Sequence, residues 1–344
     1  MRDVVVTEAL AGEEAYVVGG ALRDELLGRP VLDLDVVCAD PEAAARKLAR
    51  ATGGAPFPLS AEHGGWRVVL DGGRTVDFTP LRGTIEEDLS RRDFTMNAMA
   101  QPIGGEAYVD PLGGRADIDS GTIRAVSEHV FDDDPVRLLR AAVFVDSLGF
   151  GLDPETERLV RAHAGLVARG AGERVLEALA RLSDDGFRLV DELGLLEPLG
   201  GSLERLRPGF GPELRLVAVF GDALERLPIS NELRRLARTV LRAEPPVDDS
   251  PREIHRFRRS TEPWAIEALE YLGATRFQPA VEAARAADPA EPLVRGDELG
   301  LPSGPEIGRI LDAIDEERAA GTIETREEAL EFARRNAGAV RGDG

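Results

Sequence analysis

Cysteine and histidine are scarce in this chain of 344 residues, and long apolar runs are absent. The single cysteine, Cys38, excludes a disulfide framework and agrees with a reducing cytosol. One cysteine and four histidines, none grouped at ligand spacing, argue against structural zinc, so any bound metal must lie on carboxylates. Because no apolar run is long enough to cross a bilayer or to act as a signal peptide, we expect a cytoplasmic protein with no membrane partner.

Positive charge is also in deficit. The formal net charge of −21 argues against a protein that binds nucleic acid through its overall field. Almost every cation is an arginine, and Lys47 is the one lysine. If RNA is a partner, local arginine clusters must contact it, and the candidates are residues 234–238 and 255–259.

The most informative feature that is present is a glycine pair followed by an acidic pair. A β-like run leads into Gly19 and Gly20, where the backbone can turn tightly into a helix whose first N–H groups are able to bind phosphate. Asp33 and Asp35 are two residues apart on the β-like run 31–37, so they point to the same side of the strand. Carboxylates spaced in this way can hold a divalent metal. A phosphate site beside a metal-binding pair predicts chemistry on a nucleoside triphosphate.

A third acid, Asp77, lies in the alternating run 74–79, which is typical of a half-buried strand and would bring it beside the pair. Each feature alone has a simpler explanation. Glycine pairs often precede helices, acidic pairs on edge strands often serve solubility, and Asp77 by itself is as readily a surface residue. The order and closeness of the glycine and aspartate pairs favour the functional interpretation.

Secondary-structure signals divide the chain into two parts. Up to about residue 126 it is glycine-rich with short β-like runs, and after that helical periodicity dominates. The runs are 15–18, 31–37, 67–70, 74–79 and 106–109. We therefore predict an α+β protein with a mixed-sheet α/β catalytic head over 1–125, a helical neck over 126–200 and a helical body and tail over 201–344. The first long helix is expected to begin with Asp134 as N-cap and Pro135 as its first residue.

Four motifs in a fixed order carry a resemblance to a known family. They are residues 19–35, 89–100, 110–117 and 133–141. Together they resemble the class II tRNA nucleotidyltransferase and poly(A) polymerase family, with weaker similarity at 295–299 and 304–311. The resemblance implies a nucleotidyltransferase head and an activity that adds CCA, or part of it, to tRNA 3′ ends without a template. It implies CTP, and possibly ATP, as substrates, tRNA as partner and Mg²⁺ as cofactor.

The resemblance also implies roles for particular residues. Asp33 and Asp35 would coordinate two Mg²⁺ ions, which bind the triphosphate and activate the RNA 3′-hydroxyl for attack on the α-phosphorus. Asp77 is the third candidate catalytic residue. Nucleotide contacts are implied for Gly19, Gly20, Arg23, Arg92, Asp93, Asn97, Asp134, Arg137 and Arg140.

Within this set, Asp134 and Arg137 would recognise the incoming base. Cytosine and adenine each present an amine next to an unprotonated ring nitrogen, so a carboxylate can accept from the amine while a guanidinium donates to the nitrogen. Uracil and guanine present a carbonyl and a ring N–H and would be excluded. The simpler alternative is an Asp134 helix cap paired with Arg137 at i,i+3.

Departures from the family pattern leave alternatives open. Asp133 stands where the family usually has glutamate, and the Glu-Arg start of 172–177 is all that resembles the next family motif. Many members that add a complete CCA have a longer flexible loop where this chain has only 78–90, which favours CC addition with poor addition of the terminal A. The alternatives are a poly(A) polymerase or A-adding enzyme and, in another class, a non-catalytic nucleotide- or RNA-binding relative.

Overall fold

The computed structural model describes residues 4–31, 33–60, 64–302 and 304–337. Residue 32 of the predicted strand 31–37 therefore lies outside the described residues. The chain divides into two compact units, with the boundary between Leu203 and Glu204. Among the described residues, no helix has both the length and the apolar character needed to span a membrane.

The first unit opens with a six-stranded mixed sheet, which confirms the predicted α/β head. Its strands are β1 Ala15–Val18, β2 Asp33–Cys38, β3 Ala55–Ser60, β4 Gly65–Val69, β5 Thr75–Pro80 and β6 Ala100–Pro102. They lie in the order β3-β4-β5-β2-β1-β6. Strands β2 and β5 are parallel, and the other neighbours are antiparallel.

Sequence periodicity found most of this sheet but not all of it. The runs at 15–18, 67–70 and 74–79 correspond to β1, β4 and β5. The prediction of a strand at 106–109 is wrong, because only Val109 pairs there, in a single bridge with Ala100. Strand β3 carries two prolines and was not predicted, since proline removes a ladder donor and is tolerated only at a sheet edge such as this one.

Helices cover the sheet and continue the first unit. They are α1 Val4–Ala9, α2 Gly20–Leu26, α3 Pro41–Thr52, α4 Ile85–Leu89, α5 Gly114–Ser120, α6 Val130–Asp133, α7 Val136–Leu148, α8 Pro154–His163, α9 Gly172–Ala180 and α10 Asp184–Glu192. A 3₁₀ turn, Thr95–Asn97, precedes β6, and two short parallel strands, β7 Thr122–Ile123 and β8 Gly151–Leu152, form a second sheet. The helical character expected after residue 126 is confirmed.

Helix α3 shows how local sequence fixes one of these elements. Asp40 caps it by accepting from the backbone N–H of Ala43 at 3.0 Å, and Pro41 occupies the first turn. Its alanines and Leu48 pack on the sheet face that carries Val36. On its outer side, Lys47 pairs with Glu13 at 2.6 Å.

The second unit is helical throughout its described residues. Its helices are α11 Pro212–Phe220, α12 Asn231–Arg242, α13 Pro251–Thr261, α14 Ala265–Leu272, α15 Gln278–Ala286, α16 Pro305–Ala319 and α17 Arg326–Asn336. The proline-containing segment 243–250 connects α12 to α13 without regular structure, as its composition predicts. Helices α16 and α17 share a core that includes Ile310, Ile314 and Ala329.

Candidate active site

Strands β2 and β5 bring three aspartates onto one face of the sheet. Asp35 lies in register with Asp77, and Asp33 lies in register with Thr75, whose hydroxyl donates to Asp33 Oδ1 at 2.5 Å. Because side chains alternate along a strand, the neighbouring Val36 packs into the core of the opposite face. The carboxylates of Asp33 and Asp35 remain exposed and side by side.

The surroundings of Asp35 oppose its negative charge. Although its side chain reaches solvent, the protein around it desolvates the carboxylate and raises its pKa. Arg92 and Arg67 act in the opposite direction, but Asp77 and Asp33 add to the rise, so the pKa lies above the usual aspartate value. A cation placed between these carboxylates would relieve the repulsion.

Asp77 is already bound by an arginine that the sequence interpretation did not include. Arg67 Nε and Nη2 donate to Asp77 Oδ1 and Oδ2, both at 2.6 Å. The two residues lie in register on β4 and β5, so strand alternation places both side chains on the aspartate face. Among the described residues, no group of three or more acidic, histidine or cysteine side chains is arranged to hold a metal. Of the three aspartates on this face, Asp33 and Asp35 are the two to which no arginine donates within the described part of the chain.

The turn at Gly19 requires glycine. Its backbone has φ +74° and ψ −137°, which L-residues rarely adopt. A Cβ at this position would lie 2.9 Å from Arg92 Nη1 and 3.6 Å from Asp35 Oδ2. The missing side chain thus allows the start of α2 to approach both the guanidinium and the carboxylate.

A chain of polar contacts links α2 to α7. Arg23 Nη1 donates to Asn97 Oδ1 at 2.8 Å, and Asn97 Nδ2 donates to Asp93 Oδ1 at 3.0 Å. The other oxygen of Asp93 accepts from Arg140 Nε at 2.7 Å. Burial alone would raise the pKa of Asp93, but Arg140, Asn97 and the N–H of Phe94 together hold that pKa below its usual value. Asp93 is therefore a buried carboxylate that its partners keep charged.

Asp134 lies two residues before the first residue of α7. The helix begins at Val136 with Pro135 in the N-cap position, one residue later than predicted, and Asp134 Oδ1 accepts from the backbone N–H of Val136 at 3.2 Å. Oδ2 accepts from Arg174 Nη2 at 2.7 Å and lies 3.8 Å from Arg137 Nε. Arg137, the predicted i,i+3 partner, is therefore farther from the Asp134 carboxylate than Arg174 is.

Arg137 is fixed by backbone carbonyl groups. Nη1 donates to the carbonyl oxygens of Arg92 and Val130, at 3.2 and 3.3 Å. Nη2 donates to that of Arg91 at 2.7 Å. These bonds occupy three of the five N–H groups of the Arg137 guanidinium. The remaining N–H groups, including Nε, are available to a ligand beside Asp134.

One cavity of about 590 Å³ in the first unit contains every predicted site residue except Asp77. Asp24, Phe144, Arg174 and Arg181 also line it and were missed. The Glu-Arg start of 172–177 was the one sequence signal for Arg174. Arg181, the C-cap residue that follows α9, lies seven residues later, so both arginines reach the cavity from nearly the same side of the helix.

The motif 110–117 supports the site from outside the cavity. The carboxylate of Asp110 accepts from the backbone N–H groups of Gly114 and Arg115, at 2.7 and 3.0 Å, and so caps α5. A Cβ on Gly114 would lie 2.2 Å from the carbonyl oxygen of Thr95, which shows how closely α5 packs on the 3₁₀ turn. Thr95 also donates to Asp117 at 2.6 Å. The motif thereby holds the turn that carries Asn97.

Known proteins are similar to this chain in sequence. The model of the poly A polymerase head domain matches residues 15–84 and 71–124. The A-adding tRNA nucleotidyltransferase of Deinococcus radiodurans is 34% identical, over 93% of this chain and 95% of its own length. The CC-adding tRNA nucleotidyltransferase of Thermus thermophilus is 32% identical, over 93% of each chain. The chain belongs to the tRNA nucleotidyltransferase and poly(A) polymerase family.

Solved structures agree with membership of the tRNA nucleotidyltransferase family. The Bacillus stearothermophilus CCA-adding enzyme in complex with CTP is 26% identical, with a TM-score of 0.74 over 99% of this chain and 98% of that one. A CCA-adding enzyme in complex with ATP reaches a TM-score of 0.80 over 97% and 95% of the two chains. Its identity of 22% limits that similarity to the fold. The predicted fold class, family and enzymatic character are confirmed.

The arginine clusters predicted for RNA contact differ in their partners. On α13, Arg256 pairs with Glu316 at 2.7 Å, Arg258 pairs with Asp288, and Arg259 pairs with Asp312. These charges are neutralised within the second unit. On α12, Arg238 pairs with Glu225, and Arg234 donates to Asn231. Arg235 is exposed on α12 and makes no ion pair or hydrogen bond within the described part of the chain.

Proposed function

We propose that this protein is a template-independent tRNA nucleotidyltransferase that adds CC to the 3′ end of tRNA from CTP, with poor addition of the terminal A from ATP. The observation that carries the proposal is one cavity that combines an open carboxylate pair, a glycine turn beside Arg92, and the Asp134 and Arg137 pair. A protein that only binds RNA would not need the carboxylate pair. The named relatives include both A-adding and CC-adding enzymes, so they do not decide which nucleotides are added.

Asp33 and Asp35 are the residues proposed to hold Mg²⁺. Both supply carboxylate oxygens, which Mg²⁺ prefers, and the pKa of Asp35 is raised by burial and by the neighbouring Asp77 and Asp33, a repulsion that a bound cation would offset. When bound there, Mg²⁺ would neutralise the triphosphate and activate the 3′-hydroxyl. Asp77, held by Arg67, would contribute to the electrostatics of the site from the next strand.

The triphosphate is proposed to lie against Gly19, Gly20, Arg23 and Arg92. Arg92 Nε is buried and has no hydrogen-bond partner among the described residues, so a donor is available beside the glycine turn. Arg23 is held by Asn97 and by the carboxylate of Asp24, which together fix the direction of its guanidinium. Charge-assisted hydrogen bonds of this kind orient phosphate groups.

The base is proposed to lie beside Asp134. Arg174 and the N–H of Val136 fix its carboxylate, which retains open lone pairs for the exocyclic amine of cytosine or adenine. Arg137 retains N–H groups for the adjacent ring nitrogen, and its bonds to backbone carbonyls keep it in place. A base with a carbonyl group and a ring N–H would leave both protein groups unpaired.

In the proposed reaction, the 3′-oxygen of tRNA attacks the α-phosphorus of CTP. The new bond joins O3′ to the α-phosphorus, the bond from the α-phosphorus to the bridging oxygen breaks, pyrophosphate leaves, and the hydroxyl proton passes to solvent. The head, 1–125, is proposed to hold the triphosphate, the neck, 126–200, to recognise the base, and the body and tail, 201–344, to bind tRNA.

The point at which nucleotide addition stops is proposed from the structure of the segment 78–90. This segment consists of the end of β5, a short connection and α4, which Thr84 and Glu87 cap reciprocally at 3.3 and 3.1 Å. It offers little mobile chain to reposition Asp134 and Arg137 around a purine.

Extension of tRNA transcripts that end before CCA, after C and after CC tests the proposed function. Each is incubated with CTP and ATP, and the products are sequenced. We expect products that end in CC. Efficient completion to CCA would contradict the stopping point, long ATP-only extension of generic RNA would indicate a poly(A) polymerase, and no incorporation would indicate a non-catalytic relative.

A further inference from the structure

Phe144 lies between two arginines of the site. It is half-buried on α7 and lines the cavity, and the guanidinium carbons of Arg23 and Arg140 each lie 5.1 Å from its ring centroid. Phe94 packs edge-on against the same ring, with centroids 5.7 Å apart and planes at 89°. Cations at this distance are attracted to an aromatic face, and the edge contact fixes the orientation of the ring.

The same two arginines are joined by a second route. Arg23 donates to Asn97, Asn97 donates to Asp93, and Asp93 accepts from Arg140. With Phe144, these four residues form a closed circuit of contacts. The circuit runs from α2, beside the glycine turn, through the 3₁₀ turn to α7.

Helix α7 carries Phe144 and Arg140 at its middle and Arg137 near its beginning. A packed helix moves as a unit, so a contact that sets the position of α7 relative to α2 also sets the distance between the triphosphate contacts and the base contacts. A link between α2 and α7 made only of hydrogen bonds would lack the aromatic ring of Phe144, which lies against both arginines.

We propose that Phe144 is a positioning residue that couples the triphosphate-binding Arg23 to the base-recognising helix α7. The inference rests on the proposed function, because it assigns Phe144 a part in selecting CTP. This positioning role differs from filling space, because any apolar side chain of similar volume could fill the same space. The π face is the property required here.

The test compares Phe144→Leu and Phe144→Met, which keep apolar volume without a π face, with Phe144→Tyr, which keeps the ring. CTP affinity is measured by equilibrium dialysis without RNA, and the ratio of CTP to UTP incorporation is measured on tRNA that ends before CCA. Phe150→Leu is the matched control, since Phe150 follows the same helix and lies against Gly121 rather than an arginine. Thermal melts identify the temperature at which every variant is folded.

We expect the Leu and Met variants to bind CTP about tenfold more weakly and to lose part of the preference for CTP over UTP. Phe144→Tyr and Phe150→Leu should resemble the wild type in both measurements. The inference is overturned if both Phe144→Leu and Phe144→Met keep the wild-type CTP affinity and the preference for CTP over UTP. It is also overturned if Phe144→Tyr is impaired as strongly as those two variants. If the wild type extends no tRNA, the proposed function fails and this inference fails with it. If the wild type is active and Phe144→Leu and Phe144→Met are unaffected, this inference alone fails.

Discussion

Asp35 carries a charge that the folded protein disfavours. Because desolvation, Asp77 and Asp33 raise its pKa, the folded state binds a proton more tightly than the unfolded state, and ionised Asp35 costs stability at neutral pH. We predict that Asp35→Asn abolishes nucleotide incorporation but leaves the Tm at pH 7 unchanged or higher. The gain in Tm should be present above the raised pKa and should disappear as pH falls toward the usual aspartate range. Thermal melts of both proteins across pH check this, and a large loss of Tm at pH 7 would contradict it.

Asp77 should respond differently from Asp33 and Asp35, because Arg67 already occupies both of its oxygens. We predict that Asp77→Asn reduces incorporation less than Asp33→Asn does, but lowers the free energy of unfolding by about 1 kcal/mol by leaving Arg67 with a weaker partner. Urea denaturation and single-turnover rates measure the two effects. The double variant Arg67→Met with Asp77→Asn is the control and should recover part of the stability. Equal losses of activity in Asp33→Asn and Asp77→Asn would place Asp77 among the metal-binding carboxylates.

Arg137 combines a structural and a proposed recognition role. Its bonds to three carbonyl groups predict that Arg137→Ala lowers the Tm, and its place beside Asp134 predicts weaker rejection of UTP and GTP. Incorporation of each of the four nucleotides, measured where the variant is folded, separates the two effects. Arg158→Ala removes an exposed arginine that pairs with Glu155 on α8 and should change neither property. Unchanged nucleotide ratios in Arg137→Ala would assign Arg137 to structure alone.

Helix α5 and the 3₁₀ turn form one packed support. Since a Cβ on Gly114 would meet the carbonyl of Thr95 at 2.2 Å, Gly114→Ala must displace α5 or the turn that carries Asn97. We predict a loss of about 1 to 3 kcal/mol in unfolding free energy and weaker CTP binding. Gly151→Ala is the control, because a Cβ at that position would meet no other atom within 4 Å. Chemical denaturation and equilibrium dialysis measure both quantities, and a fully stable Gly114→Ala would show that α5 can shift freely.

Among the elements, those with a local signal were predictable and those that depend on distant partners were not. Alternation placed β2 and β5, and capping chemistry placed the beginning of α7 one residue too early, with Asp134 in place of Pro135 as the N-cap. The edge strand β3 has no local signal, because its two prolines contradict strand propensity and only pairing with β4 forms it. Arg67 was missed for a related reason, since its partner became evident only from the register of β4 and β5.

The proposed tRNA partner is anionic, whereas the protein has a net charge of −21. We predict that tRNA affinity falls steeply between about 50 and 200 mM salt, through a small number of arginine contacts. Because the α13 arginines are paired with acids, the exposed Arg235 is the stronger candidate. Arg235→Glu should raise the KM for tRNA and leave CTP affinity unchanged. The conservative Arg235→Lys should stay near the wild type, and an unchanged KM in Arg235→Glu would place the RNA surface elsewhere.

Across the molecule, short motifs gave more information about the candidate site than composition did. Residues from three of the four motifs meet in one cavity, because the start of α2, β2, the 3₁₀ turn and α7 converge there, and the motif 110–117 supports them from outside. The contacts of Phe144 with Arg23 and Arg140 had no such signal, since a phenylalanine on an apolar helix face looks like any core residue. Net charge, for its part, gave no indication of where tRNA would bind.

Lys47 provides a side-chain amine for chemical labelling. As the one lysine in the sequence, with an exposed fraction of 46% and Glu13 at 2.6 Å, it offers amine-reactive dyes and cross-linkers one side-chain target besides the amino terminus. Helix α3 covers the sheet face opposite the aspartates, so a fluorophore there would leave the nucleotide cavity unmodified. A protease that cuts after lysine would likewise cleave the chain at a single position. Lys47 is therefore the one side chain in the sequence through which amine chemistry can label the head without an engineered cysteine.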